Sequence, residues 1–338
     1  MKQTAQLLSV AALAAFLLAG CGQSQPPTTP VSGGSTNTSA AKRDYVFALI
    51  AKNQGNPVFQ AARTGAEDAA RDLSAKLGVP IKVQWQTPNE DDAQKQVEFL
   101  EQLVVQGIDG ISISVVIADT LTPAIDKAVQ RGVPVMCFDS DAPKSKRFAF
   151  YGTDDYAAGQ IIMRELLKDL GPGKHVVGIP GGNQNAANIQ NRIRGAVDEA
   201  KKNPDITIKG PYYSKETPQD AAAKMEEVQT ANPDIDGWAM IGSWALFTDA
   251  LLKWEPGKIK IVAMDALPAE LPYVRKGVVS RLYAQQTYQW GYRSIEILAD
   301  KVIHKKDPTT VAEYSPLPLV DKNNADQMET NWKKWLRQ

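Results

Sequence analysis

Histidine and cysteine are nearly missing from the sequence: two of each occur among 338 residues. His175 opens an apolar run and His304 ends the basic stretch "DKVIHKK", so no pair has zinc-ligand spacing. A serine triad would need one of these imidazoles at a strand mouth, and neither sits there. Excess charge of either sign is absent too, with 38 Lys and Arg against 38 Asp and Glu and no block of like charge. That balance gives nucleic acid nothing to bind. Phosphate loops are also lacking. "GPGKH" (171–175) and "GIPGGN" (178–183) are glycine-rich, but neither supplies Gly-x4-Gly-Lys-Ser/Thr, and no Gly-x-Gly-x-x-Gly follows a strand. "LGPGK" reads instead as a helix stop before a strand. No metal and no cofactor is expected.

Long apolar runs are limited to one, "LLSVAALAAFLLAG" (7–20), which is too short to span a bilayer and is preceded by a single charge, Lys2. Its end, "LAGC" (18–21), resembles the lipobox of bacterial lipoproteins. The resemblance implies a signal peptide over 1–20, cleavage before Cys21, and lipid on that sulfur. Stable anchoring takes two or more acyl chains. Residues 22–41 carry no charge and no hydrophobic period, so 21–41 reads as a lipidated cysteine on a flexible tether. Such a tether spans about 25 Å root-mean-square. With Cys21 lipidated, Cys137 has no partner for an intramolecular disulfide. It lies in "VPVMCFD", as a packed and inert thiol.

The body, 42–338, exceeds one typical core and is consistent with two domains. Short apolar runs alternate with helical patterns. The strand candidates are 45–50, 81–85, 110–115, 133–138, 147–153, 175–179, 206–210, 238–241, 259–264 and 279–285. Between the first two, Phe59, Ala62, Ala66, Ala69, Leu73 and Leu77 form one helical stripe. Such alternation builds parallel sheets covered by helices on both faces, so the fold class is α/β, with two doubly wound lobes joined by a hinge. The expected division is 42–152 plus 286–312 for the N-terminal lobe and 153–285 plus 313–338 for the C-terminal lobe.

Ligands in such sheets bind beyond the carboxyl ends of the strands. "GVPVMCFDS" and "GKIKIVAMDA" each end a strand on an aspartate, Asp139 and Asp265, one per lobe. The pair suits a general acid and base, as in a glycosidase, or hydrogen-bond acceptors for ligand hydroxyls; each alone would also serve as a cap or turn. A sugar pocket needs flat rings beside polar groups. Phe59, Trp244 and Phe247 offer rings, although each alone fits a core better than a ligand platform. Arg192, with Gln190 two residues before it, opens the helix after "HVVGI", either toward a ligand or on a solvated face.

A series of segments in order carries a resemblance: "FALIAKNQGNPVFQAARTGAEDAA", "QVEFLEQLVVQGIDGISIS", "LTPAIDKAVQRGVPVMCFDSDAP", "YGTDDYAAG", "IVAMDALPAELPYVRKGVV" and "YAQQTYQWGYRSIEIL". Over 44–315 the chain resembles the periplasmic sugar-binding proteins of ABC transporters, in the ribose-binding-like group related to LacI-type effector domains. The resemblance implies a type I periplasmic binding fold. It also implies ligand contacts from Lys52, Asn56, Phe59, Ser114, Asp139, Ser140, Gln190, Arg192, Trp244, Asp265 and Gln285, with Ser243 as the other choice at the Trp244 loop. Three positions depart from ribose binders: Val58 replaces an aromatic, Lys52 a small hydroxyl residue and Ser140 an arginine.

The resemblance and the leader together imply a monomer outside the cytoplasm, anchored to the membrane by lipid alone. It would capture a monosaccharide, polyol or deoxysugar by hinge closure, without chemistry. It would then deliver that ligand to an ABC permease with a cytoplasmic ATPase. A sensory protein presenting ligand to a receptor, a nucleoside-binding lipoprotein, and a glycosidase using Asp139 and Asp265 are the alternatives.

Overall fold

The computed structural model describes residues 43–338, so the expected signal peptide, Cys21 and tether lie outside the described residues. The chain first lays down β1 (Tyr45–Ile50), α1 (Pro57–Leu77), β2 (Ile81–Trp85), α2 (Ala93–Val105), β3 (Gly110–Ile113), α3 (Ala118–Gln130), β4 (Val135–Phe138) and β5 (Ala149–Gly152). It then crosses to α4 (Asp155–Leu170), β6 (His175–Gly181), α5 (Ala187–Ala200), β7 (Ile206–Tyr213), α6 (Pro218–Ala231) and β8 (Gly237–Met240). Two 3₁₀ turns, Trp244–Phe247 and Ala250–Lys253, precede β9 (Lys260–Met264), α7 (Leu271–Lys276) and β10 (Arg281–Tyr283). It returns through α8 (Thr287–Val302) to β11 (Ala312–Tyr314), and ends with β12 (Leu319–Val320) and α9 (Ala325–Trp335).

Two six-stranded sheets result, ordered β11-β5-β4-β3-β1-β2 and β12-β10-β9-β8-β6-β7. Strand for strand they have the same plan, and every pairing is parallel except β10 with β12. Strands β3, β4 and β8 are buried at every residue, the continuous burial that helices on both faces impose. The expected two-lobed α/β architecture is what the chain adopts. Cys137 is a fully buried free thiol in β4, and burial pushes its pKa far up.

The lobes repeat one helix crossing. A Cβ added to Gly65 of α1 would meet the Tyr288 carbonyl of α8 at 2.0 Å, and one on Gly291 the Ala62 carbonyl at 1.7 Å. In the other lobe a Cβ on Gly195 of α5 would meet the Tyr156 carbonyl of α4 at 2.0 Å, and one on Gly159 the Arg192 carbonyl at 1.9 Å. Only glycine permits backbones so close. Tyr-x-x-Gly opens both α4 and α8, and each of these helices begins just after a crossover.

Three segments connect the lobes and bond to one another. Thr153 Oγ1 donates to Gln285 Oε1 at 2.9 Å, Ser315 N to Gly152 O at 2.8 Å, and Ala284 N to Pro318 O at 3.0 Å. The tail differs from the expected division. Residues 313 and 314 belong to β11 in the first sheet, where they pair with β5. Helix α9 buries Ala325 in the second lobe's core and Trp332 in the first lobe's core. Trp332 Nε1 also donates to Ala266 O at 2.7 Å, so the helix ties the two lobes together. A three-residue, partly exposed strand has no readable period; its pairing with β5 sets its place.

Candidate functional site

The loops at the carboxyl ends of β1, β4, β6, β8 and β9 face each other across the lobes. They enclose a cavity of about 80 Å³. At roughly 10–15 Å³ of such space per water, it holds about six waters, room for one small ring rather than a chain of them.

The first-lobe wall begins where β1 ends. Asn56 caps α1, its Oδ1 accepting from Val58 N at 3.1 Å, and Pro57 occupies the first helical position. The cap uses only the amide oxygen. Asp139 sits just past β4 at φ 56°, a left-handed conformation that aspartate tolerates better than most residues. Its Oδ2 accepts from Ser114 Oγ at 2.7 Å and lies 3.6 Å from Lys52 Nζ. Phe59 and Trp290 pack at 6.4 Å between centroids and supply an aromatic floor.

The second-lobe wall repeats the device. Asp265, just past β9, stands at φ 69° and accepts from Ser243 Oγ at 3.3 Å, as Asp139 does from Ser114. Gln285 Nε2 donates to its other oxygen at 2.7 Å. Arg192 is almost wholly buried; Nε reaches Asp155 at 2.8 Å, Nη2 reaches Gln285 Oε1 at 2.9 Å, and Nη1 reaches Ile241 O at 3.3 Å. The Trp244 ring lies over Gly242 and against Gly182, where a Cβ would strike it at 2.3 and 2.6 Å.

Electrostatically this is a group of three carboxylates around one guanidinium. Burial works against the charge on Arg192, but Asp155, Asp265 and Asp139 outweigh it and raise its pKa. Burial pushes Asp155 up to about 6 although Arg192 pulls the other way. It also raises Asp265, against Arg192 and the bonds from Gln285 and Ser243. The cavity therefore offers oriented acceptors and donors from both lobes, an arrangement matched to a neutral ligand with several hydroxyls.

Of the residues expected at the site, Lys52, Asn56, Phe59, Asp139, Arg192, Trp244, Asp265 and Gln285 line this cavity. Three do not. Ser114 is buried behind Asp139 and touches the site only through it. Ser140 is buried with its backbone turned back onto Phe138, N to O at 2.6 Å. Gln190 reaches Tyr213 OH at 3.3 Å on the outer side of α5. Two residues from Arg192 is just over half a helical turn, which puts Gln190 on the opposite face.

Asn188, four residues before Arg192, shares its face and lines the cavity; the i, i+4 spacing was the available signal. Its Oδ1 is buried with no hydrogen-bond partner, and so is Trp290 Nε1. One acceptor and one donor, from opposite lobes, are thus unpaired at the same cavity. Trp290 arrives on α8, which returns from the second lobe, so only the crossover topology places it there. Asp91 and Glu216 form the mouth, one from each lobe. No group of three or more metal-binding side chains occurs among the described residues.

A family model described as a periplasmic binding protein domain matches residues 47–306. The chain is 25% identical over 312 residues to the ribose import binding protein RbsB of Bacillus subtilis, covering 91% of this chain and 95% of that one. It superposes on an ABC transporter solute-binding protein from Burkholderia graminis, solved in complex with D-arabinose. The TM-score is 0.76 and the identity 25%, over 84% of this chain and 97% of that one. It also superposes on AraP, an arabinose-binding protein from Geobacillus stearothermophilus, at a TM-score of 0.70 and 26% identity, over 84% and 99% of the two chains.

Proposed function

The chain belongs to the periplasmic binding protein domain family, and on that premise we propose that it is the substrate-binding component of an ABC-type sugar importer, carrying a monosaccharide or related polyol in the cavity between its lobes. The observation that carries this reading is the pair of aspartates held in the same left-handed geometry at matching strand ends, facing one cavity of single-ring size. Relatives named for ribose import and arabinose binding support it.

In this reading the ligand's hydroxyls donate to Asp139 and Asp265 and accept from Lys52, Asn56, Arg192 and Gln285. Trp244 and the Phe59–Trp290 pair cover its apolar faces. The unpaired Asn188 Oδ1 and Trp290 N–H find partners in the ligand or in waters that accompany it. Because these groups come from both lobes, only the closed state makes them all, and ligand shifts the hinge equilibrium by that difference. No covalent step is assigned to the protein. The loaded form docks on a permease with a cytoplasmic ATPase, and Cys21 with its tether keeps the monomeric body at the outer face of a membrane. Lys52, Val58 and Ser140 argue against simple ribose specificity.

A thermal-shift screen against pentoses, hexoses, deoxysugars, polyols and nucleosides tests this. A ligand at one hundred times its Kd adds about 2.7 kcal/mol, or about 4 °C for a body of this size. Stabilisation by nucleosides alone, or turnover of a glycoside, refutes it.

A further inference from the structure

Behind the second-lobe wall lies a carboxyl group that does not line the cavity. Glu270, at the start of α7, is fully buried and outside the cavity lining. Its Oε1 is 2.8 Å from Ser243 Oγ, and its Oε2 has no hydrogen-bond partner. Ser243 Oγ lies in turn 3.3 Å from Asp265 Oδ2. One hydroxyl proton is therefore placed between a fully buried carboxyl group and one that lines the cavity.

The surrounding charges do not compensate Glu270. Arg275 of α7 pairs with Asp326 and Glu329 of α9, and Lys276 reaches Leu252 O in the second 3₁₀ turn. Arg192 of α5 is engaged by Asp155 and Gln285. Among the described residues no cation forms an ion pair with Glu270, and the charged group that acts on it is Asp265, an anion. With two anions, the single Ser243 proton would serve only one; given to Asp265, it leaves Glu270 facing a lone pair in a dry interior, a costly arrangement. With a proton on Glu270 the chain closes: Glu270 donates to Ser243 Oγ, and Ser243 donates to Asp265 Oδ2.

We propose that Glu270, as a neutral acid, is a positioning residue for ligand recognition: through Ser243 it fixes the orientation of Asp265, leaving one lone pair on each Asp265 oxygen for ligand hydroxyls. Burial and the neighbouring Asp265 both hold its proton in place well above the ordinary glutamate range. As pH rises through that elevated value the proton is lost, Ser243 becomes contested between two anions, and ligand affinity falls. This inference rests on the sugar-site reading of the cavity.

The test uses the full chain with D-ribose, D-arabinose and xylitol as probes. Infrared spectra of the ligand-free wild type at neutral pH should show a protonated-carboxyl stretch that is missing in Glu270→Gln. Calorimetric titration with the best-bound probe should find Glu270→Gln within about threefold of wild type, and Glu270→Leu about tenfold weaker, or 1.4 kcal/mol. The wild type should lose affinity at alkaline pH, and Glu270→Gln should not. Should Glu270→Leu fail to fold, Ser243→Ala removes the link without emptying a large volume and carries the same tenfold expectation. An unchanged infrared band in Glu270→Gln, wild-type affinity in Ser243→Ala, or the same alkaline loss in both proteins overturns the proposal. If none of the probes binds the wild type, the sugar reading fails for them, while the infrared result still decides the protonation of Glu270.

Discussion

Replacing Asp139 by asparagine separates what its charge does from what its backbone does. The residue sits at φ 56°, where asparagine is nearly as comfortable as aspartate and alanine costs about 1 kcal/mol more. Asparagine keeps the shape and can still accept from Ser114. It turns one carboxylate oxygen into a donor and leaves Lys52, 3.6 Å away, without its anion. At least one charge-assisted bond to a ligand hydroxyl is then lost, about 1.5–3 kcal/mol, or roughly 10- to 150-fold in affinity. Folding stability should change less than affinity does, since the amide keeps the Ser114 bond and the Lys52 ion pair is long at 3.6 Å. Asp139→Ala should lose the same affinity and about 1 kcal/mol of stability in addition. Calorimetry with the best ligand from the screen and urea unfolding of the ligand-free proteins measure the two effects. Asp139→Asn binding within threefold of wild type would remove Asp139 from the site, and equal stability of the two variants would refute the backbone argument.

Asn188→Leu should raise ligand-free stability by about 1–3 kcal/mol by removing a buried oxygen that lacks a partner, yet weaken ligand binding; urea melts and calorimetry would expose a neutral result in either. Gly195→Ala puts a methyl 2.0 Å from the Tyr156 carbonyl and should cost about 3 kcal/mol in urea unfolding. Gly55→Ala meets nothing within 4 Å and should stay within about 0.5 kcal/mol. Asp155 carries a pKa raised from 3.8 to about 6, so the folded chain holds that proton more tightly than the unfolded one. Its contribution is full below about pH 4 and is lost as pH rises to 6, about 3 kcal/mol in all. Urea midpoints from pH 4 to 7 should show that fall in wild type and lack it in Asp155→Asn.

The first ten strands were readable because each parallel strand is an apolar run between turn residues. The expected 45–50 and 81–85 coincide with β1 and β2. Asp139 and Asp265 were legible for the same reason, since a strand end is visible in sequence. Strands β11 and β12 were not: they are short, partly exposed segments outside any apolar run, and a partner defines them. At the site, Gln190 is two residues from Arg192 in sequence but about 200° from it around α5, and adjacency along the chain does not show which face a residue takes. Trp290 was invisible because its place depends on α8 crossing back. The Glu270–Ser243–Asp265 chain joins residues from two loops that nothing in the sequence connects.

Helix α9 lies beyond the 47–306 family match and is anchored at both ends. Arg275 holds its Asp326 and Glu329 from the second lobe, while Trp332 sits in the first lobe's core and Arg337 reaches Glu67 of α1. In the proposed hinge motion, opening the cleft would loosen one anchor, and the Trp332 bond to the Ala266 carbonyl lies at the seam. A bond of about 1 kcal/mol shifts the resting ratio of closed to open molecules roughly fivefold. Apparent affinity scales with the competent fraction. If the lobes close on a ligand as proposed, a C-terminal helix outside the cavity lining would bias the empty protein, and a change in its last turn would alter how readily the binding site is found closed.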